Sequence, residues 1–232
     1  MVSTCKIHDQ KVESHSHMNQ RLIARITGWT IVIMAIAAGF VFGYAMPEFT
    51  SLEQEGFLQT HIQSNRGLYI AMLAGLVFIQ VLDVIASYTF YRFFAKDHRI
   101  IAAISGILRF WYTLVFIFGT LYLFRNITSD IVSDDWLLSN FNSFEKIWTY
   151  GLIVFGLHIL LLGYLMKLHQ RIHKILWILA LLAGFSYSLT SSLKLANYNP
   201  VFTENLEMIL ALPMTVGELG LAIWMIIKGG KK

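Results

Sequence analysis

Six runs of apolar residues, at 25–46, 68–94, 100–124, 147–167, 175–194 and 208–228, divide the chain. Each comes near the ~20 residues that a tilted helix needs to cross the ~30 Å hydrocarbon core of a bilayer. The pattern predicts an all-α fold, a polytopic transmembrane helix bundle of six spans. The second run is long enough to be tilted or to project past the membrane. The turns after the second and fourth runs are short, so spans two and three, and spans four and five, are expected to be antiparallel neighbours. The longer polar stretches 47–67 and 125–146 read as solvated connectors, although 49–64 has some amphipathic character. This divides the chain into a polar tail (1–20), a six-span domain (21–229) and a basic end (230–232).

Finer spacing adds packing signals. In the first span Ala35, Gly39 and Gly43 recur every four residues, a face of small residues that suits close approach of another helix of the same chain. Pro213 stands mid-run in the last span, where it removes one backbone hydrogen bond and is expected to kink the helix before Glu218. Trp29, Tyr44, Trp148 and Trp224, near run ends, read as interfacial anchors.

Composition sharpens this picture. Apolar residues make up 56% of the 232 and charged residues only 14%, against roughly 25% charged in soluble domains. The mean hydropathy is +0.59. A net charge of +4 does not point to nucleic acid, because the basic residues gather beside the apolar runs. With the N-terminus placed inside, 13 of the 18 lysines and arginines fall in inner segments and 4 in outer ones, with Arg109 within a span. Nine acidic residues fall outside and three inside. By the positive-inside rule both termini are cytosolic. The expected setting is the cytoplasmic (inner) membrane, as a multi-pass protein whose partner is the lipid bilayer. The first run is expected to act as an uncleaved signal-anchor. The single cysteine, Cys5, allows no intrachain disulfide. His8, His15 and His17 in the tail read as incidental rather than as a metal site.

Candidate chemistry sits inside the spans. Asp83, Arg109, His158 and Glu218 are ionisable residues within apolar runs. A charged side chain at the bilayer centre costs roughly 2.5–3.5 kcal/mol on insertion scales, so these residues must face the bundle interior and find partners. Counted from the outer ends of their runs, His158 and Glu218 lie about 16 Å deep, and Asp83 and Arg109 about 22 Å deep. An Asp83–Arg109 ion pair between adjacent antiparallel helices is the expected arrangement. Gln80, Asp83 and Ser87 line one stripe of the second span, and Ser105, Arg109, Tyr112 and Thr113 one stripe of the third. Thr190 in the hydroxyl-rich fifth span, and Thr215 one turn before Glu218, complete the polar set. The four ionisable groups sum to −1 when His158 is neutral, so the site is expected to bind one proton or one cation. The spacing leaves open whether Glu218 or His158 carries it. No metal-ligand spacing is present, and Arg109 disfavours a metal.

The segments FGLHILLLGYL (155–165), AGFSY (183–187) and GELGLAIWMIIKG (217–229), with LDVIASYTFYRFF (82–94) and ILRFWYTLVF (107–116), resemble a bacterial membrane family known as domain of unknown function 4386. The resemblance covers about Arg21 to Gly229. It implies a multi-span inner-membrane protein in which Asp83, Arg109, His158 and Glu218 occupy the family's polar positions, and it implies no activity. Thr190 stands where an aspartate is common in that family, so no fifth-span carboxylate carries over to this chain.

Three function classes follow. The leading one is a protein that binds or transports a proton, ion or small polar ligand at Asp83, Arg109, His158 and Glu218, with no cofactor and no catalysis. Its rivals are an intramembrane hydrolase, with His158 as base and Glu218 orienting it, and a non-catalytic membrane interaction partner. Neither the ligand nor the oligomeric state is legible in the sequence.

Overall fold

Polar groups of a backbone in hydrocarbon must be satisfied within the chain, and a helix does this locally. The computed structural model describes residues 2–50, 58–128, 133–169 and 171–231, with side chains from Gln20 onward. Its α-helices are α1 (Val2–Phe40), α2 (Pro47–Thr50), α3 (Leu58–Ser64), α4 (Arg66–Thr128), α5 (Asp134–Leu168), α6 (Lys174–Leu195) and α7 (Pro200–Ile227). The side chains of Cys5, His8, His15 and His17 lie outside the described ones. α1 continues into a π turn, Val41–Ala45, closed by Met46 N–H on Val41 O at 2.8 Å. Pro47, which has no N–H to donate, then starts α2.

Among the described residues five helices are long and apolar enough to cross a membrane. One of them, α4, has 63 residues, about three times the length of a single span. It folds back at His98, whose φ of −143° and ψ of 77° leave the helical region. Its arms, 66–97 and 99–128, pair side by side. Ser87 Oγ donates to Gly106 O at 2.7 Å, Gln80 Nε2 to Thr120 Oγ1 at 2.6 Å, and Tyr69 OH to Leu123 O at 2.9 Å. These pairs nest outward from His98, as an antiparallel hairpin requires. Lys96, Asp97, His98 and Arg99 are successive polar residues, so the fold-back falls where the chain must leave hydrocarbon. The result is six passes, with the second and third antiparallel, as the sequence predicts. Large apolar side chains face outward along the bundle, among them Ile36, Ile100, Met208 and Leu212, each more than 70% exposed. The chain is a multi-pass membrane protein.

The two ends of the bundle differ in charge. At one end Arg21 caps the C-terminus of α7, donating from Nη1 to Gly229 O at 2.7 Å and from Nη2 to Ile226 O at 2.5 Å. His169 and Asp97 meet there at 2.7 Å, and Gln20 Nε2 donates to Phe93 O. This end carries Arg92, Lys96, Arg99, Lys167, Arg171, Lys174 and Lys228. The opposite end carries Glu48, Asp134, Asp135, Glu145, Glu204 and Glu207. There α6 closes in a Schellman motif: Asn197 takes φ 54°, and Tyr198 N–H bonds Leu193 O at 3.1 Å. Asn199 then caps α7 by accepting from Phe202 N–H at 3.2 Å, with Pro200 in its first turn.

Four expectations need correction. The stretch 125–146 is mostly helix rather than a connector: α4 continues to Thr128 and α5 begins at Asp134, where Ser133 Oγ accepts from Trp136 N–H and two aspartates fill the first turn. In 47–67, α2 and α3 bury Phe49, Leu58 and Ile62, and Asp134 accepts from Leu58 and Gln59 N–H. A one-turn helix with one buried aromatic is too short to read as a period. Among the described residues nothing lies within 4 Å of a Cβ added to Gly39 or Gly43, so the Ala35/Gly39/Gly43 face seats no described helix of this chain. The close approach lies between α5 and α6 instead, where an added Cβ on Gly184 would sit 2.7 Å from Gly156 O. Trp29 and Tyr44 are exposed, but Trp224 is buried and the half-buried Trp148 stacks on Phe42 at 4.6 Å, so Trp224 is a core residue and Trp148 packs against the core.

Candidate functional site

The candidate site lies where the α4 hairpin meets α5. Asp83 and Arg109 face one another from the two arms and are each 2% exposed. Arg109 donates from Nε and Nη2 to the same oxygen, Oδ1 of Asp83, at 3.0 and 2.6 Å. The expected ion pair is therefore present. A charge-assisted pair of this kind removes both formal charges from the apolar interior at once. The guanidinium lies between two rings, its Cζ 5.7 Å from the centroid of Phe90 and 5.4 Å from that of Phe155. Phe155 stands one turn before His158 on α5, which explains how one helix supplies both a ring for Arg109 and an imidazole for the next layer.

His158 is fully buried. Its Nε2 lies 3.3 Å from Arg109 Nη1, and its Nδ1 lies 2.8 Å from Ser105 O. Arginine can only donate, so Nε2 must accept, and the ring proton belongs on Nδ1 facing the Ser105 carbonyl. Both nitrogens are thus occupied in the neutral form. Ser105 Oγ is 2.9 Å from the same Nδ1 and 3.4 Å from His158 O. With Nδ1 protonated it finds no base there, and it can donate to His158 O instead. A serine beside a histidine is present, but it is not an activated nucleophile in this arrangement. Nothing in the spacing of Ser105 and His158 along the chain shows that they meet.

Glu218 stands apart from the other three. It is part-buried on α7, and its one side-chain hydrogen bond among the described residues comes from Tyr187 OH at 3.0 Å. Arg109 and Asp83 are within electrostatic reach of it but not in contact. Phe155 separates the two groups: it packs on Arg109 and meets Tyr187 edge-on at 5.1 Å. Three of the four predicted residues therefore form one constellation, and the fourth forms a second with Tyr187. Phe155, Phe90 and Met34, whose Sδ is 3.7 Å from Arg109 Nη2, are participants that no polar pattern reveals, since they lack a hydrogen-bonding group that stands out in an apolar run; Tyr187 has a hydroxyl, and only packing shows that it faces Glu218.

The supporting residues divide likewise. Gln80 and Ser87 tie the arms of α4 together. Tyr112 accepts from Trp148 Nε1 at 3.3 Å and packs on Phe155 at 4.8 Å. Thr113 and Thr190 are buried, but each donates to the carbonyl four residues back on its own helix. Thr215 does the same and is exposed on the outer face of α7, away from the interior. Among the described residues no group of three or more His, Cys, Asp or Glu is placed to hold a metal ion.

The model of a family described as domain of unknown function (DUF4386) matches residues 26–229, a stretch that contains all six passes and both polar groups. No curated protein and no solved structure matches the chain.

Proposed function

We propose, for a chain that belongs to the DUF4386 family, that it binds a proton or a small monovalent cation at Glu218, with Tyr187 as the hydrogen-bonding partner. Asp83, Arg109 and His158 form the fixed electrostatic frame beside that site. The observation that carries this reading is the pairing of donors. Arg109 is committed to Asp83 and His158, whereas Glu218 has a neutral phenol as its contact. Asp83 and Arg109 cancel, and His158 is neutral, so the residual charge of the interior falls on Glu218. A carboxylate left ionised and unpaired in an apolar surround is costly, and a proton or cation relieves that cost. Glu218 is favoured over His158, because a second proton on His158 would set an N–H against Arg109 Nη1. The hydrolase arrangement loses support, since Glu218 does not orient His158. The excess of Lys and Arg at the basic end supports a cytosolic side for it in this reading.

Carbodiimide labelling tests the reading. A hydrophobic carbodiimide reacts with protonated carboxyl groups in apolar surroundings. Peptide mass analysis should find the adduct on Glu218, decreasing as pH rises. Suppression by sodium at fixed pH would identify the ligand as a cation as well as a proton. Labelling confined to the acidic surface residues, with none on Glu218 at any pH, would refute the proposal.

A further inference from the structure

A second site is built at the basic end, where α5, α6 and α7 meet. A cavity of about 570 Å³ opens between the last turn of α5, the turn before α6 and the last turn of α7. Lys167, Arg171, Lys174 and Lys228 line it, together with His173, and among the described residues no carboxylate does. Lys167 Nζ sits 5.5 Å from the ring centroid of Trp177, which itself lines the cavity. Arg171 is held at the rim by Nη1 on Lys231 O at 2.5 Å. The N-terminus of α6 lies in the same wall: His173 caps it by accepting from Ile175 N–H, and its first-turn amides add partial positive charge to that of the side chains. Four lysines and arginines around one concavity repel one another, and an anion is what removes that repulsion.

We propose that this cavity holds the phosphate headgroup of an anionic phospholipid. Phosphate is the matching chemistry for clustered Lys and Arg beside a helix N-terminus. The lipid source is favoured by what adjoins the cavity. Ile175, Ile178 and Leu182 form an exposed apolar stripe running down α6 from its rim, and Ile223 and Ile227 form another on α7. Trp177 and Trp224 give the cavity apolar wall beside its cations. A free phosphate would use the cations and leave these stripes without a role. Basic cavities between spans on the cytosolic side are a recognised setting for anionic headgroups.

The test is a native mass spectrometry titration of the full chain in detergent, with phosphatidylglycerol, phosphatidylcholine and inorganic phosphate as probes. Phosphatidylglycerol should remain bound where phosphatidylcholine does not. The triple variant Arg171→Gln, Lys174→Gln, Lys228→Gln should weaken it by roughly 100-fold, and Lys228→Gln alone by roughly 5-fold. The charge-keeping variant Arg171→Lys, Lys174→Arg, Lys228→Arg should bind like the parent, which separates loss of charge from loss of fold. Equal retention of the two lipids, or an unchanged affinity in the triple variant, would overturn the site. Displacement of phosphatidylglycerol by millimolar phosphate would overturn the lipid as its occupant.

Discussion

Arg109 Nη1 lies 3.3 Å from His158 Nε2, while the same guanidinium holds Asp83 Oδ1 at 2.6 Å. One cation thus sets the state of two neighbours: it neutralises the aspartate, and it fixes the imidazole as the Nδ1–H tautomer. On the proposed reading the interior charge is balanced there and left over at Glu218, and the consequences can be measured.

Removing either member of the Asp83–Arg109 pair strands the other. Asp83→Asn and Arg109→Gln should each destabilise by roughly 3–5 kcal/mol, and the double variant by clearly less than their sum. Chemical or thermal unfolding in a single detergent gives all corners of the cycle. Arg109→Lys should also be destabilising, because an ammonium cannot donate from two positions to Oδ1 while lying between Phe90 and Phe155. Strict additivity in the cycle would remove the pair from the account.

His158 should be silent to pH. Its two nitrogens are occupied in the neutral ring, so wild type and His158→Gln are expected to show superimposable dependence of thermal stability on pH from about pH 5 to about pH 8. His158→Ala should cost roughly 2–5 kcal/mol at every pH, from a cavity together with lost hydrogen bonds to Arg109 and Ser105. A pH-dependent difference between wild type and His158→Gln would reassign the proton.

Glycines separate into two groups. Gly184→Ala should destabilise by about 1–3 kcal/mol, since its Cβ would sit 2.6 Å from Leu160 N and 2.7 Å from Gly156 O across the α5–α6 contact. Gly39→Ala meets nothing within 4 Å and should be neutral or stabilising by up to roughly 1 kcal/mol, from helix propensity. Unfolding midpoints of the two variants make the comparison.

Sidedness is open to direct labelling. In a Cys5→Ser background, Asp135→Cys and Asn199→Cys should react with an impermeant maleimide added outside intact cells. His173→Cys should react only after permeabilisation. Reaction of His173 and Asp135 from the same side would contradict the six-pass topology.

Much of this fold is legible because hydrocarbon imposes it. Six apolar runs, the basic and acidic ends, and the need for Asp83 to meet Arg109 all follow from the cost of leaving a charge in lipid. What is not legible is lateral. The Ala35/Gly39/Gly43 spacing and the Gly156–Gly184 approach look alike as small residues in apolar runs, and only packing tells which face seats a neighbour. The separation of Glu218 from His158 is hidden for the same reason, because depth along a helix is countable and rotation about it is not. Phe155 decides that separation, yet it is one phenylalanine among 17.

The most direct test of the central claim is an infrared pH titration of the protein reconstituted in lipid. The carbonyl stretch of a buried, protonated carboxylic acid should be present at the acidic end of the titration and diminish as pH rises. It should be absent throughout in Glu218→Gln, and it should persist in Asp83→Asn and His158→Gln. If the band survives in Glu218→Gln, or never forms in the wild type, Glu218 is not the group that carries the proton.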